Sequence, residues 1–443
     1  MAVSADTERV QGITVEEYYD NRRLFFANTF WLVFGGAAAS FGLNTAQSLM
    51  PLHMANVGLN AEQISLIMAI RGWVGMPLVL YMAYLSDHWQ GKMGRRLPFL
   101  AISLPFILLG MAFFPYMRTV LSCLIMYSVF TFFVQVKFDT YPFLIYDIAK
   151  KASWGKVNGF NVVVSAIGVW MGQTLLMPMV DVRGEKYVYM LGAAFVGLFT
   201  LLTILFMKEP PIRSATPPRF NPMPVILGAL KIGFKDRRNI WLFVAFGLIC
   251  GPGIAFNYIP LQAKVNLGMT DGEIGRQILQ YGTLVGVVFA FFMGWTIDKI
   301  GAAKSIAIGY VFGIIAVFIG FNPSSAGQLA VAFVLLMAAS NFMYMAGSIF
   351  VASCVSRENL ASFSACNGSV NLFIQACVMQ IAGILITRVF AGNYGFAFIL
   401  SAILTTAGVP LFFWFERVWK AARVEETEME AGTSTASIAE GVD

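Results

Sequence analysis

The sequence predicts an all-α membrane protein of twelve transmembrane helices, arranged as two pseudo-symmetric six-helix bundles. Three observations carry this. Hydrophobic residues make up 58% of the 443 and charged residues only 12%, with a mean hydropathy of +0.70. A soluble domain has about 45–50% and about 25%. Apolar runs of 18 residues or more recur along the chain, each the length of a spanning helix. Polar motifs of the first half also return in the second, about 210 residues later. A transmembrane barrel is excluded, because its strands are about ten residues of alternating polarity.

The runs place spans at roughly 25–53, 62–86, 97–116, 119–148, 157–181 and 187–207, and then at 239–264, 273–297, 304–321, 327–352, 362–387 and 394–415. A helix needs about 20 apolar residues to cross, so twelve fit the length. The chain divides into a cytoplasmic N-terminal segment (1–24), an N-terminal bundle (25–207), a linker (208–238), a C-terminal bundle (239–416) and a tail (417–443). The first 23 residues are polar and carry five acids, unlike a signal peptide. The linker is rich in proline and ends in Lys231, Lys235, Arg237 and Arg238. The tail beyond Arg423 is acidic and holds Gly, Ser and Thr, so it is expected to be disordered.

Lysine and arginine set the orientation. With both termini cytoplasmic, 22 fall in cytoplasmic segments, 6 in external ones and 2 inside spans. The positive-inside rule selects this topology, in a plasma membrane or bacterial inner membrane. The net charge of +6 is therefore topological, and no nucleic-acid partner is implied. Five cysteines in or beside apolar runs and two histidines form no metal-ligand spacing, so neither a metal nor a cofactor is expected.

The repeat is specific. Asp87 follows span 2 and Asp298 follows span 8, 211 residues apart. Asn158-Gly159 opens span 5 and Asn367-Gly368 opens span 11, 209 residues apart. Two matches at nearly one offset describe a duplicated six-helix unit, the plan of many secondary transporters, whose ligand site lies between the repeats.

Gly294-x-x-x-Asp298-x-x-Gly301-x-x-Lys304 resembles the loop 8–9 signature of the major facilitator superfamily. Asp87-x6-Gly94-Arg95-Arg96-Leu97-Pro98-Phe99 resembles a longer loop 2–3 form. That form is similar to the signature of the glycoside–pentoside–hexuronide and sucrose-type cation symporters, with Leu97 in place of one arginine. Arg71-x-Trp73 is also similar to the glycoside symporters, but their paired span-2 aspartates are missing. The resemblance implies a transporter in which the first and fourth helices of each half line a cavity, and a loop charge network that locks one access state. Asp147, at the inner end of span 4 and level with Arg95 and Arg96, is expected in that lock.

An ionisable residue deep in a bilayer costs a few kcal/mol and usually faces a cavity or a partner. Three such residues stand out: Arg71 in span 2, and Lys137 and Asp139 in span 4. Asp139 is the expected proton-titrating group, with Arg71 or Lys137 as the cation that holds or releases it. The alternative is a permanent ion pair that only positions spans 2 and 4. Lys137 and Asp139 are two residues apart and point about 200° away from each other on a helix, so they are not expected to pair directly.

Amides and aromatic faces suit a sugar. Candidates are Asn44 and Gln47 in span 1, and Asn257 and Tyr258 in span 7 after the helix-breaking Gly251-Pro252-Gly253. Gln280 and Tyr281 in span 8, Asn341 in span 10 and Asn371 in span 11 complete the set. Such residues also serve as interhelical hydrogen-bond glue. The sequence thus predicts a proton-coupled symporter of a sugar or glycoside, expected to act as a monomer by alternating access. An exporter of drugs or metabolites and an organic-anion symporter remain open. No Ser/His/Asp arrangement or phosphate loop suggests an enzyme.

Overall fold

The computed structural model describes residues 15–89, 91, 93–150, 153–210, 220–354 and 360–439. Eleven helices among them are long and apolar enough to cross a membrane: Arg22–Asn56, Ala61–His88, Leu97–Tyr116, Val120–Ile148, Lys156–Arg183, Glu185–Phe206, Arg237–Leu267, Ala302–Gly320, Ala326–Val351, Phe363–Arg388 and Phe396–Lys420. A further helix, Gln280–Ile300, occupies the eighth place. They are called spans 1–12 in chain order.

Local chemistry sets where the helices begin and end. Asn60 with Gln63, and Thr119 with Ser122, form reciprocal capping boxes at the starts of spans 2 and 4. Thr270 with Glu273 does the same ahead of span 8. Gly184 and Gly301 turn the chain at φ +82° and +84° between spans 5 and 6 and between spans 8 and 9, a region that favours glycine.

Several helices depart from regularity. Span 7 breaks at Cys250–Gly251 into Arg237–Ile249 and Pro252–Leu267. Span 4 stops at Thr140 and resumes at Leu144–Ile148, after Pro142. Span 5 contains a π-helical stretch, Gly172–Leu176, and span 8 is preceded by another, Gly275–Leu279. The last helix runs from Phe396 to Ala439, so the described part of the tail is helical where disorder is expected. Its Ala, Glu, Arg and Met residues are good helix formers.

The two halves share one packing pattern. In the first, span 1 packs on spans 5 and 6, span 4 on spans 2 and 3, and span 3 on span 6. In the second, span 7 packs on spans 11 and 12, span 10 on spans 8 and 9, and span 9 on span 12. Each contact maps onto its counterpart six spans later. Between halves, span 2 meets span 11, span 5 meets span 8, and span 1 meets span 7, which is again a two-fold relation. Small residues allow the close approaches that membrane helices rely on. A Cβ at Gly42 would fall 2.3 Å from the Gly192 carbonyl oxygen, and one at Gly168 would fall 2.1 Å from that of Ala37.

Candidate functional site

A cavity of about 450 Å³ lies between the halves. Its polar wall comes from Asn44, Gln47 and Ser48 of span 1, Arg71 of span 2, Gln173 of span 5, Asn257 of span 7, Thr283 of span 8 and Asn341 of span 10. Tyr127 and Phe138 of span 4 and Phe256 of span 7 add aromatic surface.

One end of the cavity is closed by bonds between the halves. The Thr283 hydroxyl donates to Gln173 Oε1 at 2.6 Å, and the Thr174 hydroxyl donates to Gln280 Oε1 at 3.1 Å. Beyond them, towards the end of the bundle opposite the termini, Asp181 accepts from the Thr270 hydroxyl at 2.6 Å and from the Gly272 amide at 3.2 Å. Asn56 donates to Asp271 at 3.0 Å, and Arg388 pairs with Glu62 at 2.6 Å. From this seal the cavity runs along span 5 from Gln173 down to Val162, roughly 16 Å at 1.5 Å per residue, towards the end that carries the termini.

Arg71 is exposed to the cavity, its Cζ 5.8 Å from the Phe138 ring centroid. Asp139 accepts from the Gln135 amide at 2.8 Å through Oδ1. Its Oδ2 is buried with no hydrogen-bond partner among the described residues. Phe138 lines the cavity and Asp139 does not, so the carboxylate stands just behind the wall. Lys137 is buried, with Nζ 5.8 Å from the Tyr141 ring centroid, and no ion pair joins it to Asp139 among the described residues.

Of the eight candidate ligands, Asn44, Gln47, Asn257 and Asn341 reach the wall. The other four do not. Tyr258 is fully buried, bonded to Ser65 and to the Met379 carbonyl. Asn371 accepts from Gln375 one turn along its own helix and reaches Cys250 Sγ of span 7 at 3.5 Å, as interhelical glue does. Gln280 is held by Thr174 in the seal, and Tyr281 is half exposed away from the wall. Sequence reasoning missed Gln173 and Thr283. Their signal was available, as lone polar groups inside apolar spans.

The loop motif forms a second centre at the end that carries the termini. Asp147 sits between Arg95 and Arg96: Arg95 Nε donates to it at 3.2 Å, and Arg96 Nε lies 3.0 Å away. Arg96 also reaches Asp87 at 2.9 Å. Glu209, which the sequence did not single out, accepts from the backbone amides of Arg95, Arg96 and Leu97 at 2.5–3.1 Å. This satisfies orphan N–H groups at the start of span 3. Gly94 has φ +100°, and a Cβ there would fall 2.6 Å from the Glu209 carboxylate. Burial pushes the Glu209 carboxyl above its ordinary range, and the three amides pull it back only in part. These contacts all lie within the first half and the start of the linker. In the second copy Gly294 and Asp298 lie in span 8, with side chains outside the described residues, and Gly301 forms the turn after them.

Two helical repeats around a polar cavity define a membrane transport protein. The chain matches the Major Facilitator Superfamily model over residues 32–286, more than half its length, and belongs to that family. It is 23% identical over 306 residues to an uncharacterized MFS-type transporter of Methanocaldococcus jannaschii, covering 67% of this chain and 73% of the relative. Its fold is similar to the nucleoside transporter NupG in a point-mutant form, with a TM-score of 0.73 at 13% identity, covering 88% of this chain and 99% of that one. It is also similar to a bacterial homologue of the human lysosomal transporter Spinster, with a TM-score of 0.70 at 12% identity, covering 90% and 98%.

Proposed function

We propose that this transporter is a proton-coupled symporter of a sugar or glycoside that works by alternating access. The observation that carries the reading is an amide-lined cavity between the halves with a half-satisfied carboxylate, Asp139, behind its wall. Amides from spans 1, 5, 7 and 10 suit hydroxyls, and Tyr127 and Phe138 offer faces to the C–H side of a ring. The Asp87-x6-Gly94-Arg95-Arg96 form supports placement in the glycoside–pentoside–hexuronide or sucrose-type branch. The bias of basic residues supports cytoplasmic termini. On that topology the sealed end is external and the cavity faces inward.

The test is uptake into proteoliposomes with a panel of sugars, with and without an imposed pH gradient. Asp139→Asn is expected to abolish uphill accumulation and to leave exchange intact. Normal accumulation by this variant, or uptake indifferent to the gradient, sinks proton coupling at Asp139. One observation favours a second reading. Arg71 is a cation on a wall whose described residues include no carboxylate, which suits an organic anion. Carboxylates that outcompete neutral sugars in wild type but not in Arg71→Gln select that reading.

A further inference from the structure

We propose that the linker helix Pro222–Gly233 is an interfacial helix that binds anionic phospholipid headgroups of the bilayer around the chain. The helix does not span. At 12 residues it is about 18 Å long, and it packs against spans 2 and 11, where the two halves meet. Ile226, Ala229, Leu230 and Gly233 form its packed face. The Ala229 carbonyl accepts from Cys366 Sγ, and the Phe220 carbonyl accepts from the Tyr81 hydroxyl at 3.0 Å.

Its free flank is apolar first and basic afterwards. Phe220 is 66% exposed, Met223 61% and Leu227 57%. Met223, Leu227 and Lys231 follow at four-residue steps on one flank, and Lys235, Arg237 and Arg238 come next. Asp236 pairs with Arg238, so the stretch 231–238 carries a net +3. Lys231, Lys235 and Arg237 have no ion partner among the described residues. Half-exposed Trp241 and Trp414, ring centroids 6.4 Å apart, stand one turn further on. Tryptophan marks the headgroup level of a membrane protein. A helix at that level with an apolar flank and a basic end matches an interfacial anchor. Its cations meet phosphates while Phe220, Met223 and Leu227 enter the acyl boundary. Each lysine or arginine near an anionic surface strengthens partitioning about fivefold.

The full chain is reconstituted in nanodiscs of phosphatidylcholine with a minor fraction of phosphatidylglycerol, and the lipid retained on extraction is counted by native mass spectrometry. Wild type is expected to enrich phosphatidylglycerol at least about tenfold, less so at high salt. The triple variant Lys231→Gln, Lys235→Gln, Arg237→Gln is expected to enrich it no more than about twofold. Equal enrichment by the two proteins overturns the proposal, as does no enrichment by wild type. A spin label at Leu227→Cys gives an independent reading. Collision with oxygen above an aqueous nickel chelate is expected, and the reverse order overturns the acyl-boundary placement.

Discussion

Asp147 and Glu209 do different work within one cluster. Asp147 is 2% exposed and answers Arg96, 5% exposed, and Arg95, 21% exposed. Removing the acid leaves Arg95 without its ion partner and Arg96 with only the half-exposed Asp87. Breaking a buried pair costs about 3–5 kcal/mol, so Asp147→Ala is expected to lose about that much stability, read as a lowered melting temperature in detergent. Glu209 binds backbone amides, and its carboxyl is raised above the ordinary 4.5 by burial and by the nearby Asp147 charge, against the pull of the amides. A raised carboxyl adds stability that is complete below its unfolded value and lost as pH rises through the folded one. Melting of the wild type is therefore expected to fall as pH climbs above 4.5. Glu209→Gln, facing the same Asp147, Arg95 and Arg96, is expected to flatten that component. An unchanged slope in the variant removes Glu209 as its source. Asp87, Arg95, Arg96 and Asp147 were legible because side-chain charges at fixed offsets leave a trace in sequence. Glu209 was not, because it lies 112 residues from Leu97 in chain order and its partners are amides that every residue carries.

Spans 5 and 8 meet through irregular turns. An α-to-π change adds a residue to one turn and shifts the side chains that follow, and such bulges gather at functional sites. Here Gly172–Leu176 presents Gln173 and Thr174, and Gly275–Leu279 leads into Gln280 and Thr283. Gly275 permits the approach, since a Cβ there would fall 2.8 Å from both the Gln173 carbonyl oxygen and the Met177 sulfur. Gly275→Leu is expected to hold these helices apart, abolish transport and expose the cavity at the sealed end. The check is labelling of Thr283→Cys by an impermeant maleimide added from that side, expected to be faster when combined with Gly275→Leu than alone. Gly253→Ala, which meets nothing within 4 Å, serves as the neutral control. Hydropathy located both helices, but α and π turns share one composition, so the bulges were invisible in it. The break at Cys250–Gly251 was legible, because glycine and proline act on the backbone directly.

The molecule carries its two polar centres at opposite ends, and among the described residues the one opposite the termini joins the halves in this conformation. The resemblance led to the expectation that the loop network would lock an access state. A lock of one state is broken in the other, and in this conformation its described contacts lie within the first half and the start of the linker, whereas Asp181, Gln173, Thr174, Glu62 and Asn56 bond across. Repeats about 210 residues apart made the duplication legible, but which end is closed depends on contacts between helices that no single-chain pattern encodes. From this conformation, access should therefore respond first to the seal. Hydrogen bonds to a charged group contribute about 1.5–3 kcal/mol, and an exposed, solvent-screened pair such as Glu62–Arg388 adds little. Asp181→Ala with Glu62→Gln is expected to raise the population open at the sealed end by roughly tenfold or more. Spin labels at Val182→Cys and Val265→Cys, 83% and 54% exposed at that end, are expected to gain a longer-distance component. Asp147→Ala in the same background is expected to melt earlier without changing that distance distribution. An unchanged distribution in the double variant, or a shift produced by Asp147→Ala alone, reverses the assignment of seal and scaffold.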